Sequence, residues 1–326
     1  MDPPDATDDA ATAAAAASAA AGATAGAKRS RTTEPSSADF YVIGRDIQNR
    51  SNHRVSSDLS EDQRFREYFG CSAEIALIVW NLLIQYELLP DEAQIAHHLW
   101  ALFFMKIYAK EKVTCGAVGG QGGAIDPKTL RKYIWPMIKA IAGLEPYKIL
   151  FENRFMNDKH NDCLMTVDCT DVRIPERGKK FFSFKFKKSA FRYEVACAIL
   201  GNAICWVSGP HPAGRMGDLE IFRTGLLHHL DEEERVEADD GYEGEAPLYV
   251  CCPGSVTMQD ERKKIAGRAR SRQETINKRL KQWEILRATF RHDLLHHRDV
   301  FVAIVCITQV AIENGEPLFD CNEYEY

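Results

Sequence analysis

Residues 164–171 read Leu-Met-Thr-Val-Asp-Cys-Thr-Asp, an apolar run that is typical of a buried β-strand and that carries two acids, Asp168 and Asp171. A buried strand seldom holds a carboxylate unless the carboxylate is paired or binds a metal. Two further acids lie downstream: Asp239 follows a short apolar strand, and Glu274 lies within a basic helical stretch. We therefore predict that Asp168, Asp239 and Glu274 converge to bind divalent metal.

Each of these acids has a neighbour that competes for its role. Residues three apart on a regular strand face opposite sides, so Asp168 and Asp171 cannot both be ligands. Asp240 competes with Asp239 in the same way. Asp218 is a further candidate as an outer acid, although N-capping of the helix that follows it explains this residue fully.

The helix around Glu274 has two different faces. One face is a buried stripe at i, i+4 and i+7, and the other carries Glu274 together with an amide and two ammonium groups: Asn277, Lys278 and Lys281. The second face suits a metal and a scissile phosphate. The alternative is an ordinary exposed surface on which Glu274 and Lys278 form an i, i+4 pair.

The chain changes character three times along its 326 residues. Residues 1–37 are Ala-rich with no large apolar residue after the first, which predicts a disordered tail. A linker is expected over residues 38–58, followed by a helical region over residues 59–150. Residues 151–326 carry alternating strands and helices, which predict an α/β domain with a mixed sheet.

The helical region has clear start signals. Ser60 and Gln63 have capping-box spacing, and Asp126-Pro127 supplies an N-cap followed by a first-turn proline. The helix after Pro127 exposes three basic side chains: Lys128, Arg131 and Lys132. A cluster of short helices that ends in such a helix is typical of a helix-turn-helix DNA reader. A helical cap that only packs on the next domain is the alternative.

The α/β region is predicted from a series of strand-like runs and three helices. The expected strands are 164–169, 181–186, 193–200, 203–208, 235–239 and 248–252. The expected helices are 218–230, 259–288 and 300–314.

The net charge of −6 conceals strong local charge. Residues 173–192 hold eight Lys or Arg against one Glu, and residues 258–299 hold twelve Lys or Arg against six acids. Between them, residues 228–245 hold nine acids against one Arg. A polyanion responds to local charge, so the basic segments are candidate DNA-binding surfaces. Solvated charged faces are the alternative.

Compartment and membrane signals are sparse. The ten cysteines form no CxxC pair, which favours a reducing, intracellular environment. The apolar run Trp100–Met105 is too short to span a bilayer, so no membrane association is expected. Residues 28–31, Lys-Arg-Ser-Arg, could act as a nuclear-import patch.

Metal-dependent cleavage of a phosphodiester suits this set of acids. Two cations held ~3.5–4 Å apart by carboxylates can activate water and stabilise the leaving oxygen. Mg²⁺ favours such oxygen ligands and keeps waters that a substrate can replace. Without a cation the carboxylates would repel one another and raise each other's pKa.

Four segments, taken together in this order and spacing, resemble the DDE endonuclease domain of Harbinger-type (PIF/Harbinger) transposases. They are Val-Asp-Cys-Thr-Asp at 167–171, Gly-Pro at 209–210 with Gly-Asp at 217–218, Asp-Asp-Gly-Tyr at 239–242, and Arg-Gln-Glu at 272–274 with Asn277 and Leu-Lys at 280–281. The segment Asp-Pro-Lys-Thr-Leu-Arg at 126–131 looks like the helix-turn-helix that precedes that domain. The resemblance covers about residues 59–318.

This resemblance implies an RNase H-like fold, dependence on Mg²⁺ or Mn²⁺, and cutting at transposon ends followed by joining to target DNA. The triad carried over is Asp168, Asp239 and Glu274. The resemblance also implies a separate Myb-like DNA-binding partner, and we further expect a nuclear location and a homo-oligomer. The expected DNA-binding residues are Lys128, Arg131, Lys132, Lys185, Lys187, Lys188, Arg272, Asn277, Lys278 and Lys281. The alternative is a domesticated DNA-binding or scaffold protein that no longer cuts.

Overall fold

The structure is a computed structural model that describes residues 34–51, 60–155, 163–253 and 260–324. The predicted tail before residue 34 and the import patch at 28–31 lie outside the described residues, as does the end of the predicted linker. The described residues from Ser36 onward belong to one compact unit.

The described residues form eleven α-helices. These are α1 (Ser37–Ser51), α2 (Glu61–Phe69), α3 (Ala73–Gln85), α4 (Ile95–Ile107), α5 (Glu111–Val118), α6 (Pro127–Ala142), α7 (Glu145–Lys148), α8 (Asp218–Thr224), α9 (Asp260–Lys281), α10 (Glu284–Arg287) and α11 (His297–Glu313). Short 3-10 helices lie at Gly120–Gly122, Phe151–Phe155, Lys179–Phe181, Leu226–His229, Asp240–Glu245 and Leu294–His296.

Six strands in the same residues form one mixed sheet, as the sequence predicted. The strands are β1 (Cys163–Arg173), β2 (Phe182–Ser183), β3 (Lys188–Ala198), β4 (Ile204–Pro212), β5 (Arg235–Glu237) and β6 (Val250–Cys251). The order is β2-β3-β1-β5-β6, and β4 also pairs with β3. The β1–β3 and β3–β4 pairs are antiparallel, whereas β5 runs parallel to both β1 and β6.

Local signals placed both ends of α2 and the start of α6 correctly. Ser60 and Gln63 form the predicted capping box at α2, and Gly70 ends that helix with a φ of 82°. The Asp126 carboxylate accepts from the backbone N–H of Lys128 at 2.7 Å, which caps α6. These interactions lie within one helical turn, so the sequence alone specifies them.

One hydrophobic core runs from the helices into the sheet. Phe104 of α4 and Ile138 of α6 belong to the same buried cluster as Val195 of β3 and Phe301 of α11. The Phe301 ring stacks on Tyr193 with ring centroids 3.8 Å apart. The last α-helix before the sheet, α7, ends at Lys148 and β1 begins at Cys163, but this change does not divide the cluster.

Four expectations about elements are wrong. The helix predicted over 218–230 ends at Thr224, and Leu226–His229 forms a 3-10 helix instead. Residues 37–51 form α1 rather than a linker, because Phe40 and Ile47 are buried in the helical core. The predicted strand 181–186 is reduced to the two-residue β2. The helix predicted over 259–288 ends at Lys281, and the buried Trp283 has an extended backbone that starts α10.

The segment Leu294–Glu313 is long and apolar enough to cross a membrane, although no membrane-spanning segment was predicted. Its most apolar window is 78% buried inside the protein. This burial explains the composition of α11, because the helix packs between α6 and β4.

Glu194 of β3 is a fully buried carboxyl group inside the sheet. The Trp206 indole N–H donates to one of its oxygens at 3.0 Å. Burial raises the pKa of Glu194 to about 8. Between its ordinary pKa and pH 8 the folded protein therefore retains a proton that the unfolded chain releases, so the free energy of unfolding falls as the pH rises through this window.

We expect Glu194→Gln to remove this pH dependence. Relative to the variant, the wild type should lose about 2–3 kcal/mol of unfolding free energy between about pH 5 and pH 7, since each pH unit corresponds to about 1.4 kcal/mol. Urea unfolding at several pH values measures the difference. The exposed Glu232→Gln variant is the control and should track the wild type; a constant difference between wild type and Glu194→Gln would contradict the prediction.

Candidate active site

A cavity of about 590 Å³ lies where β1, the end of β5, α9 and α10 meet, and we call it the β1–α9 cavity. Its lining includes the three acids predicted from the sequence: Asp168, Asp239 and Glu274. They come from β1, from the residue that follows Ala238 after β5, and from α9, so the cavity brings together side chains that are far apart in the chain.

Parallel pairing of β1 and β5 explains why the two aspartates meet. Thr166 is the register partner of Glu237. Asp168 and Asp239 each follow this pair by two residues, and Asp239 has an extended backbone. Side chains alternate along a strand, so both aspartates emerge on the face that carries α9.

The buried Gln273 and the half-buried Asn277 fix how α9 is rotated on the sheet. The Gln273 amide donates to the carbonyl of Val195 at 3.0 Å and accepts from the Thr166 hydroxyl at 3.1 Å. Asn277 lies one turn further along the helix, and its amide donates to Asp168 at 2.7 Å. Glu274, next to Gln273, consequently points toward the open side of the cavity.

The surroundings of Asp168 disfavour its ionised form. Burial and then the negative charge of Asp239 raise the pKa of Asp168 to about 6, whereas the Lys185 ammonium opposes this rise. The carboxylate is therefore held close to a second negative charge that disfavours its ionised form. A bound cation would relieve this repulsion.

Asp239 and Glu274 are more accessible. One oxygen of Asp239 accepts from the backbone N–H of Gly241 at 2.9 Å, which orients the carboxylate at the start of a 3-10 helix. The Glu274 side chain is 68% exposed and lies 3.8 Å from the Lys278 ammonium. Glu274 thus forms the i, i+4 pair with Lys278 and also lines the cavity, so both interpretations of this helix face hold.

The donor set fits a divalent cation of the magnesium type. Three carboxylates on one cavity are hard oxygen ligands, which Mg²⁺ and Mn²⁺ prefer. All three acids lie in the described part of the chain, but their oxygen atoms are not all within 4.8 Å of one another. Asp239 and Glu274 are both exposed, so rotation of the Glu274 side chain can change this spacing.

The competing acids have structural partners. Asp171 is buried, accepts from the Ser183 hydroxyl at 2.6 Å and forms two hydrogen bonds with Arg192. Asp218 lies 2.7 Å from the same Arg192 guanidinium. The prediction that Asp218 is the N-cap of its helix is wrong, because Gly217 holds that position. Asp240 is exposed and is not part of the cavity lining.

Four of the predicted DNA-binding residues line the β1–α9 cavity, namely Lys185, Asn277, Lys278 and Lys281. Lys187 and Lys188 are exposed next to Lys185. Lys281 donates to the carbonyl of Asp171, and burial lowers the pKa of its ammonium to about 8.

The prediction that Arg272 contacts DNA is wrong. Its side chain is 2% exposed and donates to the carbonyls of Ile199 and Gly201. The helix is anchored to the β3–β4 connection by this buried arginine, which the sequence pattern did not distinguish from its exposed neighbours. Two basic residues that the prediction omitted, Arg173 and Arg287, do line the cavity. Both arginines lie in the basic segments 173–192 and 258–299, and Arg287 enters the lining because α9 ends before it.

The basic residues of α6 lie apart from the cavity lining. Lys128 is exposed, Arg131 pairs with Glu111 at 3.0 Å and Lys132 pairs with Glu92 at 3.2 Å. The opposite face of α6 packs against α4 and α11. The helix-turn-helix function of this region stays a prediction.

Residues 167–308 match the family model described as DDE superfamily endonuclease. The matched segment is somewhat less than half of the chain and contains all three acids of the cavity. The match supports a DDE transposase-like family, and it does not single out the Harbinger-type members. Members of the DDE superfamily typically use divalent metals. Neither a curated protein nor a solved structure matches this chain.

Proposed function

We propose that this protein is a metal-dependent DNA endonuclease of the Harbinger type that cuts transposon ends and joins them to target DNA. The observation that carries the proposal is the convergence of Asp168, Asp239 and Glu274 on one cavity whose rim holds Lys185 and Lys281. Carboxylates bind the cations and ammonium groups attract the phosphate, which is the charge pattern that phosphodiester cleavage requires.

The three acids would hold Mg²⁺ or Mn²⁺. A pair of such ions supplies a metal-activated water and neutralises charge on the leaving oxygen. The Asn277 amide keeps Asp168 oriented through its hydrogen bond at 2.7 Å. Because Asn277 is one turn away from the buried Gln273, the sheet contact of α9 also sets the geometry of the site.

The basic residues on the rim would bind the DNA backbone. Lys185 and Lys187 lie between β2 and β3, and Lys188 is the first residue of β3. All three are exposed, and Lys185 lines the cavity. Contacts of this type position a duplex without reading its sequence. They also make affinity strongly dependent on salt, because bound phosphates release counterions.

We expect the double variant Lys185→Ala/Lys187→Ala to bind DNA more weakly and with a smaller salt dependence. Loss of two phosphate contacts should reduce the slope of log K against log salt by about 2. Fluorescence anisotropy with a duplex at several salt concentrations measures both quantities. Lys112→Ala changes an exposed lysine of α5 that does not line the cavity, so it should bind like the wild type. An unchanged slope in the double variant would contradict this placement of the DNA.

Plasmid nicking with Mg²⁺ or Mn²⁺ tests the proposed function directly. The wild type should nick DNA only with added metal, and Glu274→Gln should not. Glu274 is exposed, so this substitution leaves the buried packing of α9 unchanged. Equal activity in both proteins, or none in either at any metal concentration, would defeat the nuclease proposal.

The second candidate function is a domesticated DNA-binding or scaffold protein that does not cut. Its specific support is the spacing of the acids, whose oxygens do not all approach within 4.8 Å. It predicts retained DNA affinity with no metal-dependent nicking by the wild type.

The remaining predictions concern a partner, assembly, location and DNA reading, and the resemblance to Harbinger-type transposases supports the partner and the reading helix. We infer a Myb-like DNA-binding partner, a homo-oligomer and a nuclear location, and we assign DNA reading to α6 through Lys128, Arg131 and Lys132. Their exposure on one helix face supports this role for α6.

A further inference from the structure

A second cluster of ligand-type side chains lies in the sheet, outside the lining of the β1–α9 cavity. Cys163 of β1, Glu237 of β5 and Cys251 of β6 are all buried, and their two sulfur atoms and a carboxylate oxygen lie within 4.8 Å of one another. The two sulfurs are 3.2 Å apart. Among the described residues, no other group of three or more Cys, His, Asp or Glu side chains brings its ligand atoms this close together.

The buried carboxylate in this cluster is held in place from two sides. The Tyr324 hydroxyl donates to one oxygen of Glu237 at 2.6 Å, and the Arg270 guanidinium donates to the other at 3.0 Å. Each oxygen still has a lone pair available, because a carboxylate oxygen accepts two bonds. Carboxylates that bind metals are commonly oriented by such outer hydrogen bonds.

We propose that Cys163, Cys251 and Glu237 bind a Zn²⁺ ion, with Tyr324 as a positioning residue. Binding converts both thiols to thiolates and releases their two protons. Two thiolates and one carboxylate carry three negative charges, and these balance the Zn²⁺ and the Arg270 guanidinium. The buried site is therefore neutral when occupied, which low-dielectric surroundings require.

The geometry and ligand types favour zinc over the ions proposed for the β1–α9 cavity. Tetrahedral zinc with sulfur at about 2.3 Å separates two sulfurs by about 3.8 Å, so the observed pair needs to open by about half an ångström. Thiolates select zinc, whereas an all-carboxylate site selects magnesium or manganese. A disulfide would require the sulfurs to approach by more than about 1 Å and would leave no role for Glu237.

This ion would join three parallel strands beneath α9. Glu237 is the last residue of β5 and precedes Asp239 by two positions, and Arg270 precedes Glu274 by one helical turn. The zinc site would thus brace the strand and the helix that carry two of the proposed catalytic acids, without contacting DNA or the scissile phosphate.

Metal analysis of the full chain, purified with a reductant and without chelator, tests the proposal. The wild type should carry about one zinc per chain, and Cys163→Ala and Cys251→Ala should carry none. Cys306→Ala removes a buried cysteine of α11 outside the cluster and should retain zinc. Asp168→Asn should also retain zinc, so failure of the nuclease proposal and failure of this one are distinguishable.

Cobalt provides a readout that does not depend on variants. Titration of the metal-free wild type with Co²⁺ should give a thiolate charge-transfer band, and Zn²⁺ should abolish it. Tyr324→Phe should weaken zinc affinity by about 10-fold to 100-fold while the ligands stay in place. Absence of both stoichiometric zinc and the cobalt band, or recovery of a disulfide-linked Cys163–Cys251 peptide from freshly purified protein, would overturn the proposal.

Discussion

Asp168→Asn is expected to reduce metal-dependent DNA nicking at least about a thousandfold, equivalent to about 4 kcal/mol of transition-state stabilisation. Asp168 is the acid whose surroundings are most strongly organised for a cation. It is half-buried on β1, receives a hydrogen bond from Asn277 at 2.7 Å and lies close enough to Asp239 for the two charges to interact. An amide at this position keeps the shape of the side chain but removes the negative charge that a cation requires.

DNA affinity should change little in the same variant, because the backbone contacts are assigned to the lysines on the rim of the cavity. Nicking rates and anisotropy titrations, both performed with Mg²⁺ and Mn²⁺, separate cleavage from binding. Asp240→Asn is the matched control, since Asp240 is the exposed neighbour of Asp239 outside the cavity lining. It should cut like the wild type. Activity of Asp168→Asn within about tenfold of the wild type would remove Asp168 from the metal site.

Arg192→Ala should lower the free energy of unfolding by about 3–5 kcal/mol. Arg192 of β3 donates to both oxygens of Asp171 on β1, at 2.7 and 3.0 Å. The same guanidinium lies 2.7 Å from Asp218 at the start of α8. Its removal leaves two carboxylates in the protein without their counter-charge, and the Asp171 side chain is only 2% exposed. An uncompensated buried charge costs more than a lost surface pair.

Equilibrium urea unfolding measures this loss. Lys188→Ala on the same strand is the control, because Lys188 is exposed and its removal should change stability by less than about 0.5 kcal/mol. Arg192→Lys should fall between the control and Arg192→Ala, since an ammonium keeps the charge but cannot make the paired hydrogen bonds. A loss below about 1 kcal/mol for Arg192→Ala would show that water or other groups solvate Asp171 after the substitution.

The sequence by itself determined the features that depend on neighbouring residues. The capping box of α2 and the N-cap and first-turn proline of α6 set the starts of these helices, because a cap is formed within one turn. The apolar run at 164–169 predicted the central strand β1, and the change from helices to strands predicted the mixed sheet. The candidate acids were also visible in the sequence, since a carboxylate inside or directly after an apolar strand is unusual.

Tertiary structure alone decided which charged side chains face the cavity. Arg272 and Asn277 belong to the same basic helix, yet the first is buried against the β3–β4 connection and the second reaches Asp168. Their helical periodicity gives relative angles but not the absolute rotation of the helix, which the bonds of Gln273 to the sheet set. The sequence therefore identified α9 correctly as a helix of the site but wrongly included Arg272 among the DNA-binding residues.

The same reason explains the features that the sequence missed. The Arg192 bridge and the cluster of Cys163, Glu237 and Cys251 each join residues from different elements. Strand order and register bring these residues together, and no local spacing encodes either quantity. The sequence thus identified the acids and predicted the strands near them. The parallel pairing of β1 with β5 beneath α9 brings these acids together in one site.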